Sequence, residues 1–110
     1  MDAVMLYATW PDLESAESTA CRLVERRQAA CVNLLPGAVS IYRWEGEVAR
    51  QGEVVMLVKT SLDRATLARA TILEAHPYEL PCVTAFRIDA ALANADFMRW
   101  LAAETSAAAV

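Results

Sequence analysis

One imidazole, three thiols and a handful of aromatic and charged side chains are what this 110-residue chain offers for chemistry. The imidazole, His76, opens the segment His76-Pro77-Tyr78-Glu79-Leu80-Pro81. A proline ring pushes the residue before it out of the α region, so both His76 and Leu80 must be extended. An imidazole, a phenol and a carboxylate are thereby held at fixed offsets between two rigid points. The thiols are Cys21, Cys31 and Cys82. Thiolate and imidazole suit copper or zinc. The plainer reading is that Cys31 and Cys82 are small strand residues and Cys21 a packed helix residue.

Cys31 or Cys82 with His76 is also the one nucleophile-plus-base pairing on offer. No glycine-rich elbow, phosphate loop or paired-carboxylate motif accompanies it, which favours a binding protein over an enzyme. Tyr42 and Trp44 share one face of a strand just before a hairpin tip, where aromatics make either interface contacts or a cleft wall. Lys59 ends an apolar strand. It could hold an anion, pair with Glu79 or Glu45, or simply snorkel.

Positioning these groups falls to elements that the pattern of residues marks out. Val4 to Thr9 is a short apolar strand stopped at Trp10-Pro11-Asp12. Asp12 is a good N-cap and Glu14 suits the positive helix end, so Leu13, Ala16, Ala20, Leu23, Val24 and Arg27 predict an amphipathic helix over Leu13 to Arg27. Ala30 to Leu35 reads as a strand bulged or kinked at Pro36-Gly37, resuming with period-two alternation over Val39 to Trp44. Glu45-Gly46-Glu47 is a tight hairpin, its glycine free to take positive φ. The return strand, Glu53 to Thr60, is apolar on both faces and so reads as central and covered on both sides. Leu62, Ala65, Ala68, Ile72 and Ala75 mark a second helix ended at His76-Pro77. Cys82 to Ile88 is a strand, Ala91 to Leu101 a final helix, and Glu104 to Val110 a frayed tail.

The order β-α-β-β-α-β plus a terminal helix makes residues 1–110 one α+β domain, a ferredoxin-like sandwich with helices on one sheet face. The second face would be bare, yet the return strand is apolar there too, which predicts cover by another subunit. Hydrophobic content of 56%, only partly explained by 22 alanines, agrees with that expectation. A net charge of -4 argues against nucleic acid and anionic membranes as partners. The apolar start, Ala3 to Ala8, is too short for a signal peptide or membrane span. Three cysteines at no disulfide or zinc spacing read as reduced thiols, which predicts a cytoplasmic protein.

Four segments share an order and spacing with one family: AACVNLLPG (Ala29 to Gly37), SIYRWEGEV (Ser40 to Val48), EVVMLVKT (Glu53 to Thr60) and HPYELP (His76 to Pro81). Over nearly its full length the chain resembles the CutA family, the divalent-cation tolerance proteins. The resemblance implies a homotrimer of ferredoxin-like subunits similar in build to the PII signalling proteins, the hairpin reaching across to a neighbour. It implies association with tolerance of copper or another divalent cation and gives no reason to expect an organic cofactor. His76 matches the family's recurring histidine and Cys31 its recurring cysteine, making them the expected metal ligands. Some bacterial members carry a second cysteine near the end of the first strand; here that stretch is Tyr7-Ala8-Thr9. The alternative is a PII-like sensor taking a small anionic metabolite near Lys59. Either way Tyr42, Trp44, Lys59, His76, Tyr78 and Glu79 are expected to line one intersubunit cleft.

Overall fold

The computed structural model describes residues 2–106. Its elements are β1 (Ala3–Trp10), α1 (Leu13–Glu25), β2 (Cys31–Trp44), β3 (Glu47–Ser61), α2 (Leu62–Ala75), β4 (Val83–Ile88) and α3 (Ala95–Glu104). The strands form one antiparallel sheet in the order β2-β3-β1-β4, the arrangement expected of a ferredoxin-like sandwich.

Strand alternation decides which residues meet the helices. Val4, Leu6, Ala8 and Trp10 of β1 join Val54, Met56 and Val58 of β3 on one face. Against them pack Ala16, Ala20 and Leu23 of α1 with Ala68 and Ile72 of α2. Asp12 caps α1 by accepting a hydrogen bond from the Ser15 amide at 2.8 Å, and that bond holds its carboxyl below the usual range. The helix ends earlier than the periodicity of Arg27 suggests. Arg27 lies at φ 57, and the amides of Arg27 and Gln28 fold back onto the carbonyls of Val24 and Leu23, closing the last turn.

β2 and β3 outrun the rest of the sheet. β1 pairs with β3 only as far as Val54, whereas the hairpin continues to a Glu45-Gly46 turn between Trp44 and Glu47. Both turn residues have positive φ, 49° and 82°, which matches the right-handed strand twist. One extra residue in β2 between Leu35 and Ala38, with Gly37 at φ 89°, makes the expected bulge. The bulge shifts side-chain parity, so beyond it Ser40 and Tyr42 share a face with Gln51 and Glu53.

The second sheet face is not bare within one chain. α3 crosses one end of it, where Met98 and Leu101 bury against Ala3 and Ala30. This helix starts at Ala95, four residues later than predicted. Asp89 ties the Ala91 amide into a turn, and Asn94 is the cap, accepting from the Phe97 amide at 3.0 Å. The expected fraying does not begin at Glu104: that residue is helical, Thr105 is buried, and Arg64 holds the Thr105 carbonyl at 3.0 Å. The remainder of the expected tail, residues 107–110, lies outside the described residues.

Met56 is fully buried between sheet and helices. Met56→Ala should destabilise the fold by about 2–5 kcal/mol. Chemical denaturation is the check; a loss under about 0.5 kcal/mol would mean the core is centred elsewhere.

Candidate functional site: a cleft at the base of the long hairpin

α2 cannot continue past Ala75, because Pro77 forces His76 into extended geometry, φ -73 and ψ 132. The chain is instead clamped to the end of β1. His76 Nε2 lies 2.7 Å from the Thr9 carbonyl, and the Tyr78 amide donates to His76 Nδ1 at 3.2 Å. Only the tautomer with its proton on Nε2 satisfies both bonds. The ring also stacks on the buried Trp10, centroids 4.2 Å apart at 26°. His76 is therefore a buried anchor with both nitrogens committed.

That anchor brings Tyr78 across to the hairpin base. Tyr42 Oη donates to Gln51 Oε1 at 2.8 Å, and Gln51 Nε2 donates to Tyr78 Oη at 2.8 Å. Tyr78 Oη then donates to Glu53 Oε2 at 2.9 Å. Every donor in this run points toward the carboxylate of Glu53, a residue only 8% exposed. Burial pushes the Tyr78 hydroxyl up to about 12, the bond to Glu53 and its charge push the same way, and the Gln51 bond opposes them. At neutral pH Tyr78 is a fixed donor.

Above this run opens a cleft of about 710 Å³. Its walls are aromatic, from Tyr7, Tyr42, Trp44 and Tyr78, and its charged groups are Glu53, Glu79 and Arg43. Cys82 also lines it.

Of the six residues expected together, Tyr42, Trp44, Tyr78 and Glu79 do line this cleft. Trp44 is 43% exposed. His76 supports the wall from beneath rather than lining it. Lys59 is elsewhere. It stands opposite Met5 in the sheet register, its Nζ bonded to Asn33 Oδ1 at 2.9 Å and lying 5.9 Å from the Phe97 ring centroid. Glu79 and Glu45 are not its partners. Cys31 pairs with Lys59, so it too lies at the far end, about 13 Å along β1 from the Thr9 position where His76 is held.

One chain therefore does not assemble His76 and Cys31 into a metal site. Among the described residues no three His, Cys, Asp or Glu side chains gather as metal ligands, and the hydrogen bonds of His76 leave no lone pair for ligation. The same commitment removes His76 as a base for either thiol, so no Cys-His nucleophile exists. All three cysteines are free, with Cys21 and Cys82 exposed and Cys31 half-buried. Gln51 and Glu53 were missed from sequence. Their signal is parity: polar residues two apart on the return strand, which the Pro36-Gly37 bulge aligns with Ser40 and Tyr42.

Alkaline titration followed by tyrosinate absorbance should show a phenol ionising near pH 12 that is absent from Tyr78→Phe. A folded-state pKa raised above the unfolded value stabilises below about pH 10 and loses that contribution as pH rises toward about 12. Parent and Tyr78→Phe should therefore converge in stability across that window. At pH 7 the variant should lose about 1–3 kcal/mol, because Glu53 and Gln51 are left short of a partner. Identical titrations of the two proteins would contradict the Tyr78–Glu53 bond.

The CutA1 divalent ion tolerance protein family model matches residues 4–104. The chain is 41% identical over 105 residues to a divalent-cation tolerance protein CutA of Thermus thermophilus, covering 96% of this chain and 99% of that one. The structure resembles CutA from Xylella fastidiosa with a TM-score of 0.91 at 36% identity, covering 96% of this chain and all of the other. It also resembles an Archaeoglobus fulgidus protein with a TM-score of 0.89 at 34% identity, covering 94% and 99% of the two chains. That relative is named a periplasmic divalent cation tolerance protein. The cytoplasmic expectation is thereby overturned: unpaired thiols at irregular spacing rule out a disulfide framework but do not specify a compartment. The ordered motifs, the sheet order and these likenesses agree, and the chain belongs to the CutA1 family of divalent ion tolerance proteins.

Proposed function

We propose that the chain acts in divalent-cation tolerance as a homotrimer whose working site is the Tyr78 cleft, each copy of the cleft closed by a neighbouring subunit. The run of hydrogen bonds from Tyr42 to the buried Glu53 carries this reading. Four polar groups aligned and partly desolvated at the wall of an open cleft cost stability to assemble, and a purely structural hairpin base would be cheaper as apolar residues. The names of the Thermus and Archaeoglobus relatives support the tolerance role. Copper is the ion we take to be tolerated, alongside other divalent cations. The residues of one chain do not fit a resident copper centre, for the reasons given by His76 and Cys31.

Trimer formation is supported by apolar surface that one chain leaves uncovered. Val39, Ile41 and Val48 are exposed on the projecting hairpin, and Leu35 and Phe86 on the sheet face that α3 only partly covers. Val55 and Leu57 are half-buried on that same face. So much exposed apolar area marks an interaction surface.

The second reading, a sensor of a small anionic metabolite, has less to stand on. Its cation was Lys59, which lies outside the cleft. The remaining cation of the lining, Arg43, donates to the Gly46 carbonyl at 3.4 Å near the hairpin tip, and the other charged lining residues are the carboxylates Glu53 and Glu79.

Sedimentation should give three times the 12.0 kDa chain mass, and Leu57→Asp should abolish soluble expression by burying a carboxylate in the interface. A monodisperse monomer at micromolar concentration would contradict the trimer. Expression in a copper-sensitive host should raise the copper concentration tolerated, and Tyr78→Ala should remove that protection while the assembly persists. Undiminished protection by Tyr78→Ala would overturn the assignment of the cleft.

A further inference from the structure

The cleft carries a chemical preference that the family's name does not supply. From its lining we infer that it takes a small organic cation, an alkylammonium or guanidinium group seated among the aromatic walls and hydrogen-bonded to Glu53. This rests on the reading that the cleft is the working site.

Three observations point the same way. The walls are Tyr7, Tyr42, Trp44 and Tyr78, and aromatic faces are negative in their quadrupole, attracting cations and not anions. The charges in the lining are two carboxylates against one guanidinium, and that guanidinium is turned to the Gly46 carbonyl. Glu53 is the decisive group. Its Oε2 accepts from Tyr78, while its Oε1 has no hydrogen bond among the described residues and is not sealed from solvent. Among the described residues no Lys, Arg or His side chain pairs with Glu53, a residue 8% exposed beside a cleft. The run of donors from Tyr42 through Gln51 to Tyr78 makes Glu53 Oε2 an acceptor, and Tyr78 stays protonated in that role because its pKa stands near 12.

A metal ion fits less well. Glu53, Glu79 and Cys82 all line it, but among the described residues no three His, Cys, Asp or Glu side chains gather as metal ligands. An organic cation needs no such shell. It needs one acceptor and aromatic cover, which this cleft has.

The test uses four butyl compounds of matched size, butylammonium, butylguanidinium, butanol and butyrate, titrated into the intact protein. Binding is read from the Trp44 indole resonance in a proton–nitrogen spectrum. The two cations should shift Trp44 saturably and at least tenfold more tightly than butanol, with butyrate inert. Glu53→Gln should remove the cation advantage at least tenfold without changing the response to butanol. Glu79→Gln, at an exposed position, serves if Glu53→Gln fails to fold, and should weaken the cations by a smaller factor. Equal or tighter binding of butanol or butyrate would overturn the cation preference while leaving the cleft as a site. No response to any of the four, or a neighbour's hairpin filling the cleft in the trimer, would overturn both.

Discussion

Two hydrogen bonds and one ring stack at His76 hold the cleft end of this molecule together. Pro77 ends α2, and the imidazole then spans the gap to β1 by donating to the Thr9 carbonyl and accepting the Tyr78 amide. Stacking on Trp10 keeps the ring from turning. Without that clamp the six-residue segment would be a stiff but unanchored connection, and the Tyr78 phenol would have no reason to meet Glu53. A histidine that looks like a ligand in the sequence is here the part that positions other groups.

The second constraint is the central placement of β3. It pairs with β1 over Val54–Ser61 and with β2 over Glu47–Lys59, so one strand both builds the core and carries the cleft. Its even-numbered residues Val54, Met56 and Val58 face the helices, and its odd-numbered residues face the other side. Where β1 runs out, the strand continues as a hairpin arm with Gln51 and Glu53 on the cleft face. The same backbone thus links core stability to the geometry of a polar site, and the bulge at Gly37 supplies the parity that brings Tyr42 to Gln51.

Sequence periodicity and punctuation exposed nearly the whole fold. The two helices ahead of β4, the Glu45-Gly46 turn and the bulge each have a local chemical signature. α3 was placed early because Ala91 and Leu92 extend an apolar pattern, whereas the boundary is set by Asn94 as cap and by the Asp89 turn before it. The site was half legible. Tyr78 and Glu79 follow from the two prolines, and Tyr42 and Trp44 from strand parity. Lys59 was misplaced because proximity across a sheet depends on register, and the Cys31↔Lys59↔Met5 register puts it at the α3 end. Gln51 and Glu53 escaped notice because their meaning lies in which side of the strand they occupy.

Because the chain has a single histidine, one spectrum can interrogate the clamp directly. A long-range proton–nitrogen correlation of the imidazole in the intact protein distinguishes its tautomers. The clamp requires the ring proton on Nε2, protected from solvent exchange, and Nδ1 shifted as a hydrogen-bond acceptor. A ring protonated on Nδ1, or one exchanging freely between tautomers, would contradict it and detach Tyr78 from the explanation of the cleft.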